Sequence, residues 1–398
     1  MDDRQFPRER LDRAFFRSFG RAPERYFAAP GRTEIGGNHT DHQHGRVLAA
    51  AIDRCIFAAA APNGSREIRL HSEPYPPCRV ELDDLTPRPE EAGTTAALLR
   101  GIAAWFAREG CRVEGFDAAV CSQVASGSGL SSSAAFEVLA ACMVSTLSAA
   151  GRFAPEQLAR AGQYAENVYF GKPCGLMDQM ACAVGGMVTI DFAGGGAAVR
   201  PVPFDPERAG YALCILDTHA SHAELTDAYA AIPREMGQVA ARFGRQYLSE
   251  VEEGAFFARL PELRQTCGDR AVLRAMHFFR ENARVEEQVQ ALERGDFPAF
   301  LSLVRQSGRS SALLLQNVTP PGGVERQDMA LTLALCARAL EDRGAWRVHG
   351  GGFAGTVQAF VPLEEAERFC ADMDRVLGPG SCRRMAVRET GVGEILPG

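Results

Sequence analysis

Ala125-Ser126-Gly127-Ser128-Gly129-Leu130-Ser131-Ser132-Ser133-Ala134-Ala135 follows a short apolar run, Phe116 to Val120, and leads into Leu130, Ala134, Val138 and Ala141 at helical spacing. Strand, glycine-serine loop and helix in that order require mixed α and β structure. Glycines let backbone N–H groups approach an anion closely, and a helix N-terminus offers unpaired donors and a positive dipole end, so the loop suits phosphate. The serine hydroxyls add donors and a candidate Mg²⁺ ligand. Taken alone, such a loop reads equally as a tight helix-start turn. Three familiar phosphate sites are excluded. No lysine follows the glycines as in a Walker A loop, and Ser132 stands where a dinucleotide fingerprint needs its third glycine. Asp191-Phe192-Ala193 is the nearest string to a protein-kinase DFG, and no HRD loop accompanies it.

Leu11, Phe15, Phe16 and Phe19 predict a helix ending near Gly20; Val47 to Ala60 and Glu67 to His71 read as strands, and Thr95 to Glu109 as an amphipathic helix. Three prolines in six residues within VRPVPFDPER, Val199 to Arg208, favour an extended connection. A chain of 398 residues suits two domains, so the boundary is set near 205, giving 1–205 and 206–398. Beyond it, Tyr211 to Asp217 reads as a strand, Ala299 to Leu315 and Arg326 to Leu340 as helices, and Val348 to Phe353 as a glycine turn entering a strand at Thr356 to Val361.

The formal net charge of -7 argues against nucleic acid or anionic membrane as partners but leaves room for a local basic pocket, so small anions are the expected charged ligands. None of the twelve cysteines is in a C-x-x-C pair, and they read as reduced, buried, small apolar residues. The first residues lack the apolar stretch of a secretory signal, and Val47 to Ala61, the most apolar segment, is interrupted by Asp53 and Arg54. A cytoplasmic location is expected.

Ala29-Pro30-Gly31-Arg32-Thr33-Glu34-Ile35-Gly36-Gly37-Asn38-His39-Thr40-Asp41-His42 gathers an arginine, an amide, histidines and a carboxylate into what reads as a glycine-bounded turn. Asp accepts from vicinal hydroxyls while Asn and His donate or accept, which suits a polyol; a polar surface turn is the plainer reading. His39, His42 and His44 are too closely spaced, without an anchoring helix, for a closed metal site.

This segment closely resembles the galactokinase signature, whose usual form is GRVNLIGEHTDYNGG, where this chain reads GRTEIGGNHTDHQHG. The family's GLSSSA is matched by Gly129 to Ala134, its CGIMDQ by Cys174-Gly175-Leu176-Met177-Asp178-Gln179, and a glycine-rich motif by Gly350 to Gly355. The four motifs stand in the family order between residues 29 and 355. The resemblance, to galactokinases within the GHMP kinases, implies an α+β fold of two domains. The first would be similar to the second domain of ribosomal protein S5 and the second ferredoxin-like, with the active site in the cleft between them. Arg383 to Val387, the last strand-like stretch, is a candidate to return to the first domain.

The same resemblance implies ATP-dependent phosphorylation of the anomeric C1 hydroxyl of galactose, with Mg²⁺. A monomer is expected, with the sugar and ATP as its partners. It assigns Asp178 as the carboxylate that orients or deprotonates the sugar hydroxyl and Arg32 as the cation beside it. Ser133 and Glu166, the latter twelve residues before Asp178, would hold the metal. Asn38, His39, Thr40, Asp41 and Tyr229 would contact the sugar. ATP would lie over Gly127, Ser128, Gly129, Leu130, Ser131, Ser132 and Ser133, with Ser72 near the base and Phe353 closing the nucleotide side. Arg274 and His277 are expected to be structural. The departures are Asn38, where the family has a glutamate that accepts from the O6 hydroxyl, Ala354 for a usual glycine, and Gly308 for a common histidine. A neutral Asn38 removes a charge that would repel a C6 carboxylate, which brings in galacturonate or L-arabinose as alternative acceptors. A sugar sensor without catalysis is the other alternative; such a protein can dispense with base and metal ligands, whereas Arg32, Ser133, Glu166 and Asp178 are all present here.

Overall fold

The computed structural model describes residues 6–125, 129–220, 225–323 and 325–395. Among them the chain runs through α1 (Arg8–Phe19), β1 (Arg25–Gly36), β2 (Arg46–Pro62), β3 (Glu67–Ser72), β4 (Cys78–Glu81), α2 (Thr95–Arg108), β5 (Phe116–Ser122), α3 (Ser132–Ala149), α4 (Pro155–Ala165) and α5 (Met177–Val184). It continues with β6 (Met187–Asp191), β7 (Ala198–Pro201), β8 (Tyr211–Asp217), α6 (Thr226–Ala241), α7 (Glu253–Ala258), α8 (Leu260–Cys267), α9 (Asp269–Glu293), α10 (Phe297–Ser310) and α11 (Asp328–Leu340). The last elements are β9 (Ala345–His349), β10 (Thr356–Pro362), α12 (Ala366–Leu377), β11 (Cys382–Met385) and β12 (Gly393–Ile395). A π-helical turn follows α4 at Glu166–Phe170 and another follows α10 at Ser311–Leu315.

Two compact units form, each from separated stretches: 1–32, 51–186 and 388–398 in the first, 33–50 and 187–387 in the second. This division departs from a single cut near 205, because strand pairing rather than local composition decides membership. Arg46 to Ala50 pair with β6, which draws both into the second unit, and β12 pairs with Tyr26 to Ala28, which draws the tail into the first.

In the first unit the strands follow the order β12-β1-β2-β5-β3-β4, with β3 and β5 parallel. Ala58 to Ala61 of β2 and Ala118 and Ala119 of β5 are fully buried. α1 ends where Gly20 adopts the left-handed conformation that glycine reaches without a Cβ penalty. α3 is apolar and long enough to cross a membrane by composition, yet Ala134 to Val144 are mostly packed inside this unit.

The second unit holds an antiparallel sheet of order β11-β8-β10-β9, the split β-α-β-β-α-β arrangement with α6 to α11 in its first crossover. Leu216, Val348, Val357, Phe369 and Met373 form one core cluster; Ile232, Met236, Phe256 and Phe278 belong to another, around α6 and α9. The stretch 383–387 does not return to the first unit: Cys382 to Met385 pair with β8, and β12 is the strand that returns.

Candidate active site

Within the first unit, β1 continues through Pro30-Gly31-Arg32, where the sequence reads as a turn. A β-carbon at Gly31 would stand 2.8 Å from the Leu130 carbonyl oxygen, so this glycine serves close approach of strand to loop. Arg32 exploits that approach. Its backbone N–H donates to Leu130 O at 3.2 Å and its Nη1 to Gly129 O at 2.6 Å. The other edge of the guanidinium grips Asp178, Nε to Oδ1 and Nη2 to Oδ2, both at 2.7 Å. α5 presents Asp178 in its first turn, and the Ser131 hydroxyl also donates to Asp178 Oδ2. Burial alone would raise the Asp178 carboxyl, but the charge and hydrogen bonds of Arg32, with the Ser131 bond, hold it below the usual carboxylate range.

Gly127 and Ser128 lie outside the described residues. Ser131, left-handed at φ 56°, turns its hydroxyl to Asp178 instead of capping α3, so that helix begins without a side-chain cap. Uncapped first-turn N–H groups of a long helix are ready donors for an anion. Ser132 and Ser133 occupy that turn, and Ser72 closes β3 opposite Val120.

Glu166, assigned by the resemblance to the metal, is buried. The π turn it opens departs from regular i→i+4 spacing, a device common at functional positions. Lys172 Nζ stands 3.2 Å from Glu166 Oε1, and Gln179 Nε2 donates to Glu166 Oε2 at 3.0 Å. The same amide donates to Glu137 Oε2 at 2.9 Å. Glu137 lies on α3 one turn after Ser133, fully buried, and its Oε1 has no partner among the described residues. Burial first, and the Glu166 charge second, push its carboxyl up to about 8. An orphaned carboxylate oxygen beside a second carboxylate is a donor set that suits a hard divalent cation, so the residues fit Mg²⁺. Sequence reasoning missed Glu137 and Gln179. Their signals were the one-turn spacing from Ser133 and the place directly after Asp178.

Within the second unit, residues 37–45 form a loop strapped to α9. Glu281 Oε1 accepts from the N–H of Gly37 at 3.2 Å and of Asn38 at 3.4 Å. His277 Nε2 donates to Asn38 O at 2.9 Å while its Nδ1 accepts from the Ser310 hydroxyl at 2.8 Å, which fixes the neutral tautomer. Burial lowers His277 to about 4. Burial would raise Glu281, but Arg284, His277 and Arg347 bring it down to about 2. Arg274 is buried and donates to Glu235 and Leu315 O.

The Asn38 side chain is wholly engaged inside this unit. Nδ2 donates to Glu34 Oε1 at 3.1 Å and Gly350 O at 2.7 Å, and Oδ1 accepts from Ser311 Oγ at 3.1 Å and Asn317 Nδ2 at 2.9 Å. Those bonds use all four of its hydrogen-bonding positions. Thr40 is likewise buried, its hydroxyl donating to Gly37 O at 2.9 Å. His39, left-handed at φ 58°, donates from Nε2 to Gly351 O at 3.0 Å and accepts at Nδ1 from His42 at 3.2 Å; burial lowers both imidazoles toward the neutral form. Asp41 opens a short 3₁₀ turn and is half-buried. Tyr229 of α6 donates its hydroxyl to Gly352 O at 2.7 Å and meets Phe353 edge-on at 5.5 Å, and Phe353 is packed in the core of this unit. Glu34 was not singled out from sequence. The usual signature has Asn and Glu where this chain has Glu34 and Asn38, an exchange of amide and carboxylate, and Arg347, fully buried, donates to the relocated carboxylate.

The model of the galactokinase galactose-binding signature matches residues 13–62, and that of the GHMP kinases N terminal domain matches residues 97–186. A galactokinase of Streptomyces coelicolor is 35% identical over 356 residues, covering 87% of each chain. This chain belongs to the galactokinase family. The galactokinase of Mycobacterium tuberculosis is 34% identical over 347 residues, 85% of this chain and 90% of the relative. The crystal structure of Lactococcus lactis galactokinase complexed with galactose matches 98% of this chain and 100% of that one at a TM-score of 0.84 and 23% identity. A mevalonate kinase structure matches at a TM-score of 0.63 and 15% identity, over 92% of this chain. The fold is that of the GHMP kinases, α+β in two domains.

Proposed function

We propose that this galactokinase-family chain transfers the γ-phosphoryl group of ATP to the anomeric C1 hydroxyl of galactose, giving galactose 1-phosphate. The observation that carries the reading is the constellation of Arg32, Asp178 and Ser131. Asp178 is held ionised by a two-point guanidinium contact, so it serves as a proton acceptor once the new bond to phosphorus is forming. Arg32 also reaches Gly129 of the phosphate loop, which puts its positive charge where negative charge develops in transfer. The uncapped start of α3 receives phosphate oxygens. Glu166 and Ser133 are the groups that would hold Mg²⁺, which supplies charge neutralisation to the phosphates when bound.

For the sugar, His39 and Asp41 are the direct contacts we favour, while Asn38, Thr40 and Tyr229 shape the loop through the bonds described above. With its amide fully engaged, Asn38 offers neither the family's carboxylate nor a spare donor at the C6 end. Galacturonate and L-arabinose are therefore the acceptors to test beside galactose.

The experiment is a coupled measurement of ADP release with ATP, Mg²⁺ and each sugar. Galactose is expected to give the highest kcat/KM, and Asp178→Asn to lower kcat by roughly 10²–10⁴-fold, the range of general-base losses. Calorimetric binding of galactose and ATP without ADP release would assign the chain to sugar sensing instead. A large preference for galacturonate or L-arabinose would keep the chemistry and change the substrate.

A further inference from the structure

The second unit contains a cavity of about 530 Å³ whose polar lining is Asp227, Arg234, Arg270, Arg274, Gln316 and Thr319. Its volume lies within the range of small-ligand sites, roughly 300–1,000 Å³. Three guanidinium groups on one concave surface are unexpected in a chain of net charge -7. Arg270 and Arg274 lie one turn apart on α9 and so share a face, and α6 contributes Asp227 and, seven residues on, Arg234.

Charge accounting shows which of these cations is already neutralised. Glu235 of α6 takes both α9 arginines on one carboxylate, Arg270 Nε at 3.1 Å and Arg274 Nη1 at 2.9 Å from Oε2. Arg274 is buried and further fixed by a bond from its Nε to Leu315 O at 3.2 Å, so it forms a rigid wall. Arg270 is half exposed at 51%, and Arg234 is exposed and forms no ion pair with a described residue. Three positive charges against Asp227 and Glu235 leave the cavity with a positive excess.

The walls of the cavity are also the supports of the sugar loop. Ala312 of the lining follows Ser311, and Gln316 and Val318 flank Asn317; Ser311 and Asn317 are the two donors to Asn38 Oδ1. Phe353, also in the lining, packs against Tyr229. A group held in the cavity thus touches the segments that fix residue 38.

We infer that this cavity is an anion subsite, taking the phosphate or carboxylate group of a sugar-sized molecule on Arg234 and Arg270 above the fixed Arg274. Guanidinium groups match both anions through paired N–H donors, and a positive excess in a recess outweighs the desolvation of one small anion more readily than a flat surface does. The two sources of that chemistry are a phosphorylated sugar, such as the product of the proposed reaction, and a sugar acid. The inference concerns binding alone and stands whether or not phosphoryl transfer occurs.

Calorimetry on the full chain tests it, with the start of α3 first saturated by a non-hydrolysable ATP analogue so that phosphate cannot register there. Galactose 1-phosphate, galacturonate and inorganic phosphate are the probes, and galactose is the neutral control. At least one anion is expected to bind saturably, with affinity falling tenfold or more in Arg234→Ala and in Arg270→Ala and falling with added salt, while galactose affinity stays within twofold. Binding of galactose 1-phosphate alone identifies the phosphate source, and binding of galacturonate alone the acid. Arg234 is exposed and makes no ion pair with a described residue, so Arg234→Ala is expected to melt with the parent chain. Absence of saturable binding by all three anions overturns the inference. So does binding that both variants leave unchanged.

Discussion

At the scale of single residues, one side-chain amide connects two carboxyl groups to the proposed catalytic pair, Arg32 and Asp178. Gln179 follows Asp178 directly and donates one N–H each to Glu137 and Glu166. Its removal leaves the Glu137 carboxyl without a hydrogen-bond donor among the described residues and leaves Glu166 to Lys172, so the two buried groups lose the bridge that orients them toward each other. Gln179→Leu is expected to raise the Mg²⁺ concentration for half-maximal activity by roughly tenfold or more, the usual cost of losing a residue that orients a metal ligand. Binding of Mn²⁺ followed by electron paramagnetic resonance reads the same change without turnover; unchanged metal affinity would show that the bridge is only packing. The exchanged pair Glu34 and Asn38 yields a second expectation. Asn38→Glu places a carboxylate against Glu34 in a buried pocket with Arg347 shared between them, costing about 3 kcal/mol or more. Glu34→Asn combined with Asn38→Glu restores one carboxylate and one amide and should recover most of that loss in thermal melting. Equal melting of the single and double variants would refute the exchange.

At the scale of elements, α9 is the beam that carries the proposed sugar loop, residues 37–45, through His277 and Glu281 one turn apart on the same face. Both groups are shifted downward by folding, so both bind fewer protons folded than unfolded across their windows, and stability rises with pH there. The His277 contribution is present above its unfolded value of 6.5 and is lost as pH falls toward about 4; that of Glu281 is present above 4.5 and is lost toward about 2. His277→Gln is therefore expected to flatten the fall in melting temperature between pH 6.5 and 4, whereas Glu281→Gln changes the profile only below pH 4.5. Melting curves across that range check the order, and a parent curve flat down to pH 4.5 contradicts it. Much at this scale was legible in the sequence. The periods of α1, α2 and α11 and the apolar runs of β2, β3, β5 and β8 lie within a few residues of their predicted bounds. The illegible parts share a cause, which is that a neighbour distant in sequence decides them. Gly31 reads as a turn until Leu130 is placed against it, and Gly36 sits where a β-carbon would lie 2.0 Å from Gln288 Oε1. Neither π turn has a period of its own in the sequence, yet one presents Glu166 and the other brings Ser311 to Asn38.

At the scale of the whole molecule, the motifs named the family because they are local strings, while the division into units escaped because it depends on strand partners hundreds of residues apart. The tail shows what that division does. Residues 388–395 belong to the first unit, and they are bonded to α5, to Gly186 just beyond it and to β2: Gly186 N–H donates to Arg388 O at 2.8 Å, Arg388 N–H to Ala51 O at 2.9 Å, and Val392 N–H to Cys182 O at 3.1 Å. Gly391 has no room for a side chain, since its β-carbon would stand 2.0 Å from Ala183 O. Cys182 and Ala183 lie in α5, whose first turn presents Asp178, so the tail secures the C-terminal end of the helix that carries the proposed base. Removal of residues 388–398 should therefore expose the α5 carbonyls and the free edge of β1, lower the melting temperature, and speed hydrogen exchange of the α5 amides. Because the sugar loop belongs to the second unit and makes its own bonds to α9, galactose binding by calorimetry is expected to persist while kcat falls. Loss of both together would mean the tail supports the entire fold, and a full-strength kcat with unprotected α5 amides would separate the helix from catalysis.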